Sequence, residues 1–206
     1  MRLQDGELII TASVEARLQE LGYTPEELQE AIAFHKSECY GEPSVYVGTY
    51  AKYNEGSLYG MWIDISSFND YDECINFCMA IHADEEDPEL MAEDFAAFPD
   101  AWYNEGFISE EDFDNILEYS DMCDKHGADA VNDYLEFHDT LDSFEEAYCG
   151  TWDDEEDFAR HIIGECYNLE SELGDLARYF DYEAFGRDLF MYDYELGENG
   201  SVFRVI

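Results

Sequence analysis

Two stretches decide the fold of this chain: Ser44-Val45-Tyr46-Val47-Gly48-Thr49-Tyr50 and Leu58-Tyr59-Gly60-Met61-Trp62-Ile63-Asp64-Ile65. Both are rich in β-branched and aromatic residues, which is typical of β-strands. Between them, Tyr53-Asn54-Glu55-Gly56 has the composition of a turn, because Asn and Gly tolerate the backbone conformations that turns require. The sequence therefore predicts two strands paired as a hairpin.

The residues before this hairpin predict two helices. Residues 13–21 form a short amphipathic stretch that ends at Gly22. Thr24-Pro25-Glu26-Glu27 then supplies an N-cap, a proline at the first helical position and a capping-box glutamate. Gly41-Glu42-Pro43 ends the second helix and is a plausible linker. We therefore interpret residues 1–43 as a helical N-terminal extension.

The residues after the hairpin predict mostly helices and a second β-hairpin. Cys74, Phe77, Cys78 and Ile81 lie on one face of a predicted helix at residues 72–82, which a loop at 83–88 follows. Residues 109–146 are predicted to be helical throughout, with separate short helices at 128–137 and 143–148. Further helices are predicted at 155–166 and 174–180. Strands are predicted at 190–194 and 202–206, joined by a turn at 197–200 in which Asn-Gly is a strong hairpin signal.

The charge of the chain is its most unusual property. It has 52 Asp and Glu against 9 Lys and Arg among 206 residues, which gives a formal net charge of −43. Between Lys52 and Arg160 the one basic side chain is Lys125. The 16 Tyr, 14 Phe and 3 Trp distinguish this chain from disordered acidic tails, which usually lack aromatic residues. We therefore expect a folded protein that repels nucleic acids and anionic membranes and binds a basic partner.

Catalysis has little support in the sequence. It contains no nucleophile elbow, phosphate-binding glycine loop or His-Glu-x-x-His motif, and its five histidines are scattered. Cys74, Cys78 and His82 have helical spacing, but they lack the second ligand pair of a zinc site and lie on an apolar stripe, so we favour packing. Acidic runs attract cations loosely without the ligand pattern of an EF-hand. We predict a protein that is not an enzyme and has no cofactor.

The cysteines and the chain start bear on the cellular compartment. The first ten residues, MRLQDGELII, lack the basic start and long apolar core of a signal peptide, and no apolar stretch is long enough to span a bilayer. We therefore expect a cytoplasmic protein whose six cysteines are free thiols.

The carboxylates recur at spacings that suit an anionic surface. Acids four residues apart on a helix stand about 6 Å apart along its axis, and alternate strand residues about 6.6 Å apart. Since duplex DNA carries one charge per about 1.7 Å, 43 charges correspond to about 73 Å of duplex. The candidate partner-binding residues are Asp84, Glu85, Glu86, Asp87, Glu110, Glu111, Asp112, Asp114, Glu118, Asp129, Asp133, Glu136, Asp153, Asp154, Glu155, Glu156 and Asp157.

The two strand segments also carry a family resemblance. Val45-Tyr46-Val47-Gly48-Thr49-Tyr50, Tyr53-Asn54-Glu55-Gly56 and Leu58-Tyr59-Gly60-x-Trp62-Ile63-Asp64 resemble the opening of ArdA antirestriction proteins. Glu145-Glu146-Ala147-Tyr148, Glu156-Asp157-Phe158-Ala159 and the stretch from Tyr179 to Leu189, YFDYEAFGRDL, are similar to the family's C-terminal signature. The resemblance runs from about residue 44 to 206 and leaves the N-terminal extension outside.

This resemblance implies an elongated α+β chain of small domains with a highly acidic surface. The expected divisions are a mixed β-hairpin and helix domain at 44–106, a central helical domain at 107–144 and a C-terminal α+β domain at 145–206 through which the protein forms a homodimer. The family's members mimic bent B-form DNA, are used by mobile genetic elements, and occupy the DNA-binding groove of the methyltransferase core of type I restriction-modification enzymes. The alternative reading is a haloadapted or cation-binding acidic scaffold protein without DNA mimicry.

Overall fold

The computed structural model describes residues 3, 4, 7, 8, 10–38 and 41–206. Cys39 and much of the N-terminal stretch used to assess a signal peptide lie outside these residues. The chain divides into two compact units, Met1–Ser120 and Asp121–Ile206. Helices and small antiparallel sheets occur in both, which confirms the predicted α+β class. The finer division into domains and the elongated arrangement stay predictions.

In its described residues, the first unit contains two sheets and the greater part of the long helix α5. Its elements are β1 Leu3–Gln4, β2 Glu7–Leu8, α1 Ala12–Glu20, α2 Pro25–Glu38, β3 Ser44–Thr49, α3 Tyr50–Asn54, β4 Met61–Asp64, α4 Tyr71–Ile81, β5 Leu90–Ala96 and α5 Glu110–His126. Short 3₁₀ turns occupy Ile65–Ser67 and Asp100–Trp102. The boundary between the units falls inside α5.

The central sheet of the first unit has the strand order β4-β3-β5 and is antiparallel throughout. The predicted pairing of the two opening stretches is confirmed, with Val45 opposite Ile63 and Val47 opposite Met61. The sequence predicted no strand at β5, where the acids Glu93 and Asp94 interrupt the apolar pattern. Here the register shifts between Tyr46 and Val47, which leaves Glu93 as the extra residue of a bulge.

The connection between β3 and β4 differs from the predicted turn. Thr49 caps a short helix, α3, by accepting a hydrogen bond from the backbone N–H of Lys52. The chain then turns at Gly56, whose φ of 79° favours glycine. The second strand is shorter than predicted and begins at Met61, after Gly60, where a Cβ would lie 2.4 Å from the carbonyl oxygen of Val47. Residues 58–60 of the predicted strand therefore lie outside it, and Ile65 lies in a 3₁₀ turn.

The N-terminal extension belongs to the first unit. The capping box at the start of α2 is confirmed, because Thr24 N–H donates to Glu27 Oε2 at 2.8 Å and Glu27 N–H donates to Thr24 Oγ1 at 3.2 Å. The side chains of Leu28 and Ile32 are buried, and α2 packs against β4 and α4. The imidazole Nδ1 of His35 accepts a hydrogen bond of 3.2 Å from the backbone N–H of Asp64, in the edge strand β4. The extension therefore contributes to the core.

Helix α4 has the buried face that its periodicity predicted. Cys74, Phe77, Cys78 and Ile81 are all at most 1 % exposed. Asp70 caps the helix by accepting a hydrogen bond of 2.8 Å from the N–H of Glu73. Burial raises the pKa of the Cys78 thiol well above its ordinary value, so this side chain behaves as a small neutral hydrophobe.

The second unit combines five helical elements of its own with a three-stranded sheet. Its elements are α6 Ala128–Leu135, α7 Phe144–Ala147, β6 Tyr148–Thr151, α8 Glu155–Cys166, α9 Leu169–Leu173, α10 Tyr182–Tyr192, β7 Tyr194–Leu196 and β8 Ser201–Arg204, with a 3₁₀ turn at Gly174–Tyr179. The sheet order is β6-β8-β7, and β7 and β8 form the hairpin predicted from the turn at 197–200.

One strand predicted in this unit is wrong. Residues 190–192 of the predicted strand at 190–194 lie in α10, which Asp181 caps through a hydrogen bond of 2.9 Å from the N–H of Ala184. Gly186 brings α10 close to α8, since a Cβ there would lie 2.6 Å from the carbonyl oxygen of Glu155. Packing of the two helices outweighs the β propensity of Phe190 and Tyr192.

Candidate partner-binding surface

The first half of α5 presents a row of acids opposite a buried face. Phe113 and Ile116 are fully buried, whereas Glu110, Glu111 and Asp114 are exposed and Glu118 is half-buried. The helix begins with a capping interaction in which Ser109 Oγ donates to Asp112 Oδ2 at 2.6 Å and Asp112 N–H donates to Ser109 Oγ at 3.1 Å. We call Glu110, Glu111, Asp114 and Glu118 the α5 acidic row. Its members at positions 110, 114 and 118 are about 6 Å apart along the axis.

The loop after α4 contains four consecutive candidate acids, residues 84–87, which we call the acidic loop. Lys52 Nζ lies 2.9 Å from Asp84 Oδ1 and 2.7 Å from Glu85 Oε1. The hydroxyl of Thr49 donates to the same Glu85 oxygen at 2.7 Å. Burial alone raises the pKa of Glu85, but the hydrogen bonds from Lys52 and Thr49 outweigh it and lower the pKa overall. Lys52 therefore offsets part of the negative charge of this loop.

Lys52 also determines the tautomer and favours the neutral form of a buried histidine, His82. His82 is 0 % exposed, and its Nδ1 lies 3.0 Å from Lys52 Nζ. Because an ammonium group can only donate, Nδ1 is the acceptor and Nε2 carries the proton, facing the carbonyl oxygen of Val47 at 3.4 Å. Burial, and then the charge of Lys52, lower the pKa of His82 to about 4. This imidazole is therefore neutral and committed to internal hydrogen bonds.

The acidic loop has a second cationic neighbour in the N-terminal extension. The guanidinium of Arg17, on α1, donates a hydrogen bond to the backbone carbonyl oxygen of Glu86. Glu86 and Asp87 are exposed, whereas the side chain of Asp84, in its ion pair with Lys52, is only 24 % exposed. Neither Lys52 nor Arg17 was among the residues predicted to be functional. For Lys52, its position as the last basic residue before Lys125 was the available signal.

The candidate acids at residues 153–157 surround the start of α8. Asp154 is the N-cap, and its Oδ1 accepts a hydrogen bond of 2.8 Å from the N–H of Asp157. Glu155 and Glu156 are half-buried, and Glu156 forms an ion pair with Arg160 one turn later. Asp153 and Asp157 are exposed. Part of this cluster therefore serves the helix itself, and three of its acids are exposed, including the capping residue Asp154.

The predicted row on α6 requires a correction. Asp129 and Glu136 are exposed, but Asp133 is 0 % exposed. Its Oδ1 accepts hydrogen bonds from the N–H of Asn199 at 3.0 Å and from the side-chain amide of Asn199 at 2.8 Å, and its Oδ2 accepts from Ser201 N–H at 3.1 Å. Since its carboxylate is occupied by the C-terminal hairpin, we exclude Asp133 from the candidate surface.

A common feature explains how the fold tolerates so many acids. Acids lie in the first turn of α2, α4, α5, α8 and α10. The N-terminus of a helix carries partial positive charge and unpaired N–H groups, so carboxylates there are stabilised. Part of the acidity is thus placed where the partial positive charge of a helix N-terminus offsets the repulsion between carboxylates.

Exposed apolar side chains collect on the second unit. Leu173, Leu176, Tyr179, Met191, Tyr192, Val205 and Ile206 are each more than 40 % exposed. Tyr192 is 76 % exposed and Tyr179 is 71 % exposed, although both are large aromatics. Burial of such side chains against another protein surface is favourable, so they are candidates for a protein interface.

The described residues give no support to a metal centre or a membrane span. Among them, no group of three or more His, Cys, Asp or Glu side chains is placed to hold a metal ion. Within the same residues, no helix combines the length and apolarity that crossing a bilayer requires.

The sheets, helices and composition define an acidic protein of the α+β class, with 52 Asp and Glu against 9 Lys and Arg. The family model of ArdA antirestriction proteins matches residues 45–203, so the chain belongs to this family, as the resemblance indicated. Membership supports an antirestriction function, restriction-modification enzymes as the class of partner, and the role of an inhibitor. A comparison with curated proteins gave no match. Residues 10–38, which contribute to the core of the first unit, lie outside the matched range.

Proposed function

We propose that this protein mimics B-form DNA and competes with DNA for the groove of the methyltransferase core of type I restriction-modification enzymes. The observation that carries the proposal is the α5 acidic row. Four carboxylates lie on the side of the helix opposite Phe113 and Ile116, in a stretch, residues 53–124, that contains no Lys or Arg. A basic groove that binds the phosphates of DNA could bind these carboxylates in their place.

The mechanism is electrostatic and independent of DNA sequence. In protein–DNA complexes, contacts to phosphates position the protein while contacts to base edges specify the sequence. Carboxylates reproduce the first kind of contact and not the second. One inhibitor could therefore act on enzymes with different recognition sequences, and its binding should weaken as salt screens the charges.

Exposure and ion pairing support a smaller set of acids as the ones that face the partner. In the first unit, the acids that we propose to face the partner are the α5 acidic row and the exposed residues Glu86 and Asp87 of the acidic loop. In the second unit, taken by itself, they are Asp129 and Glu136 on α6 and Asp153 and Asp157 near α8. Asp84, Glu85 and Glu156 contribute less, because Lys52 and Arg160 offset their charge. Binding is spread over many carboxylates, so we expect no single one to dominate.

We also propose that the second unit mediates homodimerisation. The exposed side chains of Leu176, Tyr179, Met191 and Tyr192 support this proposal, since a second copy would remove them from water. Two copies would double the number of carboxylates available to a long basic groove.

A restriction assay with a purified type I enzyme and unmodified DNA tests the proposal. The variant Glu110→Gln/Glu111→Gln/Asp114→Asn/Glu118→Gln neutralises the α5 acidic row. The control variant Glu15→Gln/Glu20→Gln/Glu26→Gln/Glu30→Gln removes the same charge from exposed acids of the extension. We expect wild-type protein to protect DNA, the first variant to protect at least about tenfold less well, and the control to change little. Equal loss in both variants would leave net charge as the explanation, and no protection by wild-type protein would refute the proposed function.

A further inference from the structure

The role of the N-terminal extension follows from what it touches. Helix α1 begins at an N-cap, Thr11, whose side chain accepts a hydrogen bond from the N–H of Val14, and it buries Val14 and Leu18 at 5 % and 0 % exposure. Its position on the first unit is therefore fixed by apolar contacts. Arg17 lies between these two residues in sequence and is half-buried. Its guanidinium is thus presented from a packed helix.

The hydrogen bond from Arg17 acts on the backbone of the acidic loop. The acceptor of the hydrogen bond from Arg17 is the backbone carbonyl oxygen of Glu86, so this bond acts on the path of the chain. The carboxylate side chains of Glu86 and Asp87 stay exposed. Lys52 binds the first half of the same loop through the side chains of Asp84 and Glu85. Four adjacent carboxylates repel one another, and these two cations counter that repulsion at different points.

We propose that Arg17 is a positioning residue, through which α1 sets the direction in which Glu86 and Asp87 meet the partner. The extension is then a working part of the inhibitor and lies outside the segment shared with the family. This inference rests on the proposed function for its effect on binding. The effect on the loop itself is independent of that function.

Substitution of Arg17 distinguishes an effect of loop position from an effect of net charge, because the two change the affinity for the partner in opposite directions. The variant Arg17→Met makes the protein one charge more negative, which by electrostatics alone strengthens binding to a basic groove. Loss of the hydrogen bond to Glu86 releases the loop and weakens binding. Lys36→Met is the matched control, since Lys36 is an exposed cation on α2 and its loss changes the net charge equally.

The test measures binding of each full-length variant to a type I methyltransferase, together with hydrogen exchange at residues 82–89. We expect Arg17→Met to bind about tenfold more weakly and to exchange faster in this segment. Lys36→Met should bind as well as or better than wild type with unchanged exchange, and Arg17→Lys should restore part of both properties, because a lysine can also donate to the carbonyl oxygen.

The outcomes distinguish the two proposals. Faster exchange in Arg17→Met, with no binding by wild-type protein, would refute the proposed function and keep Arg17 as the residue that orders the loop. Unchanged exchange together with unchanged or tighter binding would overturn the role of Arg17. Equal weakening of binding by Arg17→Met and Lys36→Met would also overturn it, since the control lacks the hydrogen bond to Glu86.

Discussion

Asp133 on α6 accepts two hydrogen bonds from Asn199 in the C-terminal hairpin, from its backbone N–H at 3.0 Å and from its side-chain amide at 2.8 Å. A third bond, from the N–H of Ser201, occupies the other carboxylate oxygen. Gly197 lies so close that a Cβ there would be 2.2 Å from Asp133 Cγ. A residue that sequence spacing placed among surface acids is thus the anchor of the β7–β8 hairpin.

The first prediction concerns the stability of the second unit. Asp133→Asn keeps the shape of the side chain but turns one acceptor oxygen into an NH₂ group that faces the N–H of Ser201 or Asn199. We expect the free energy of unfolding to fall by about 2–4 kcal/mol, because bonds to a charged acceptor are lost and a buried donor is left unpaired. Urea unfolding measures this change. Asp129→Asn, at an exposed position on the same helix, is the control and should have little effect.

An opposite pattern would restore Asp133 to the binding surface. If Asp133→Asn kept full stability but inhibited restriction less well, the carboxylate would act on the partner and not on the hairpin.

The second prediction concerns the coupling between Lys52 and His82. Lys52→Met removes the ammonium 3.0 Å from His82 Nδ1 and 2.7 Å from Glu85 Oε1. The pKa of His82 should rise from about 4 toward, but not to, its ordinary value, since burial is the larger cause and persists. The pKa of Glu85 should rise as well, because its principal hydrogen-bond donor is gone. Titration followed by NMR measures both pKa values. An unchanged pKa of His82 in Lys52→Met would contradict the pairing of Lys52 with His82.

The third prediction concerns the effect of pH on stability. The pKa of His82 is lower in the folded protein than in the unfolded chain, about 4 against about 6.5, so the unfolded state binds more protons between these values. Stability from the neutral imidazole is therefore present above pH 6.5 and is lost as pH falls toward 4. Between pH 7.5 and 5 we expect the free energy of unfolding to decrease by about 2 kcal/mol from this residue.

Urea unfolding at the two pH values checks this expectation. His82→Gln can still accept from Lys52 and donate to Val47 but does not titrate, so it should lose this part of the pH dependence. His161→Gln, at an exposed histidine, should keep it. If the free energy of unfolding of His82→Gln depended on pH as strongly as that of wild type, groups other than His82 would cause the effect.

The fourth prediction concerns the proposed homodimer. Tyr192→Glu places a charge on the exposed apolar side chains of the second unit, and a charge buried in an interface is costly. We expect sedimentation equilibrium to show a dimer for wild-type protein and a dissociation constant at least about tenfold higher for Tyr192→Glu. Leu58→Glu, at a residue 72 % exposed in the first unit, should leave the dimer intact. A monomeric wild-type protein would refute this part of the proposal.

Local sequence signals predicted the elements that local interactions stabilise. The capping box at Thr24 and Glu27, the buried face of α4 and the bounds of α8 are as expected, since each depends on residues close together in the chain. Strand β5 was missed, because its apolar alternation is broken by the bulge at Glu93. Helix α10 was missed because its packing against α8 through Gly186 depends on a contact distant in sequence.

The sequence predicted that the partner-binding surface is acidic, but it did not predict which acids are exposed. With 52 acids, spacing alone could not separate the buried Asp133 from the exposed Asp129 and Glu136 on the same helix. The difference comes from the hairpin of residues 194–204, which packs on one side of α6 and supplies the donors. Tertiary contacts also explain Arg17, whose acceptor lies 69 residues away in the sequence.

We propose that the protein occupies a DNA-binding groove through carboxylates that stand in for phosphates. The most direct test measures its affinity for a purified type I methyltransferase over a salt series, in the absence and presence of a DNA duplex that contains the recognition site. We expect the affinity to fall about tenfold or more between about 50 and 300 mM salt, and we expect duplex and inhibitor to exclude each other. An affinity that is flat or rises with salt, or a ternary complex of enzyme, inhibitor and duplex, would contradict it.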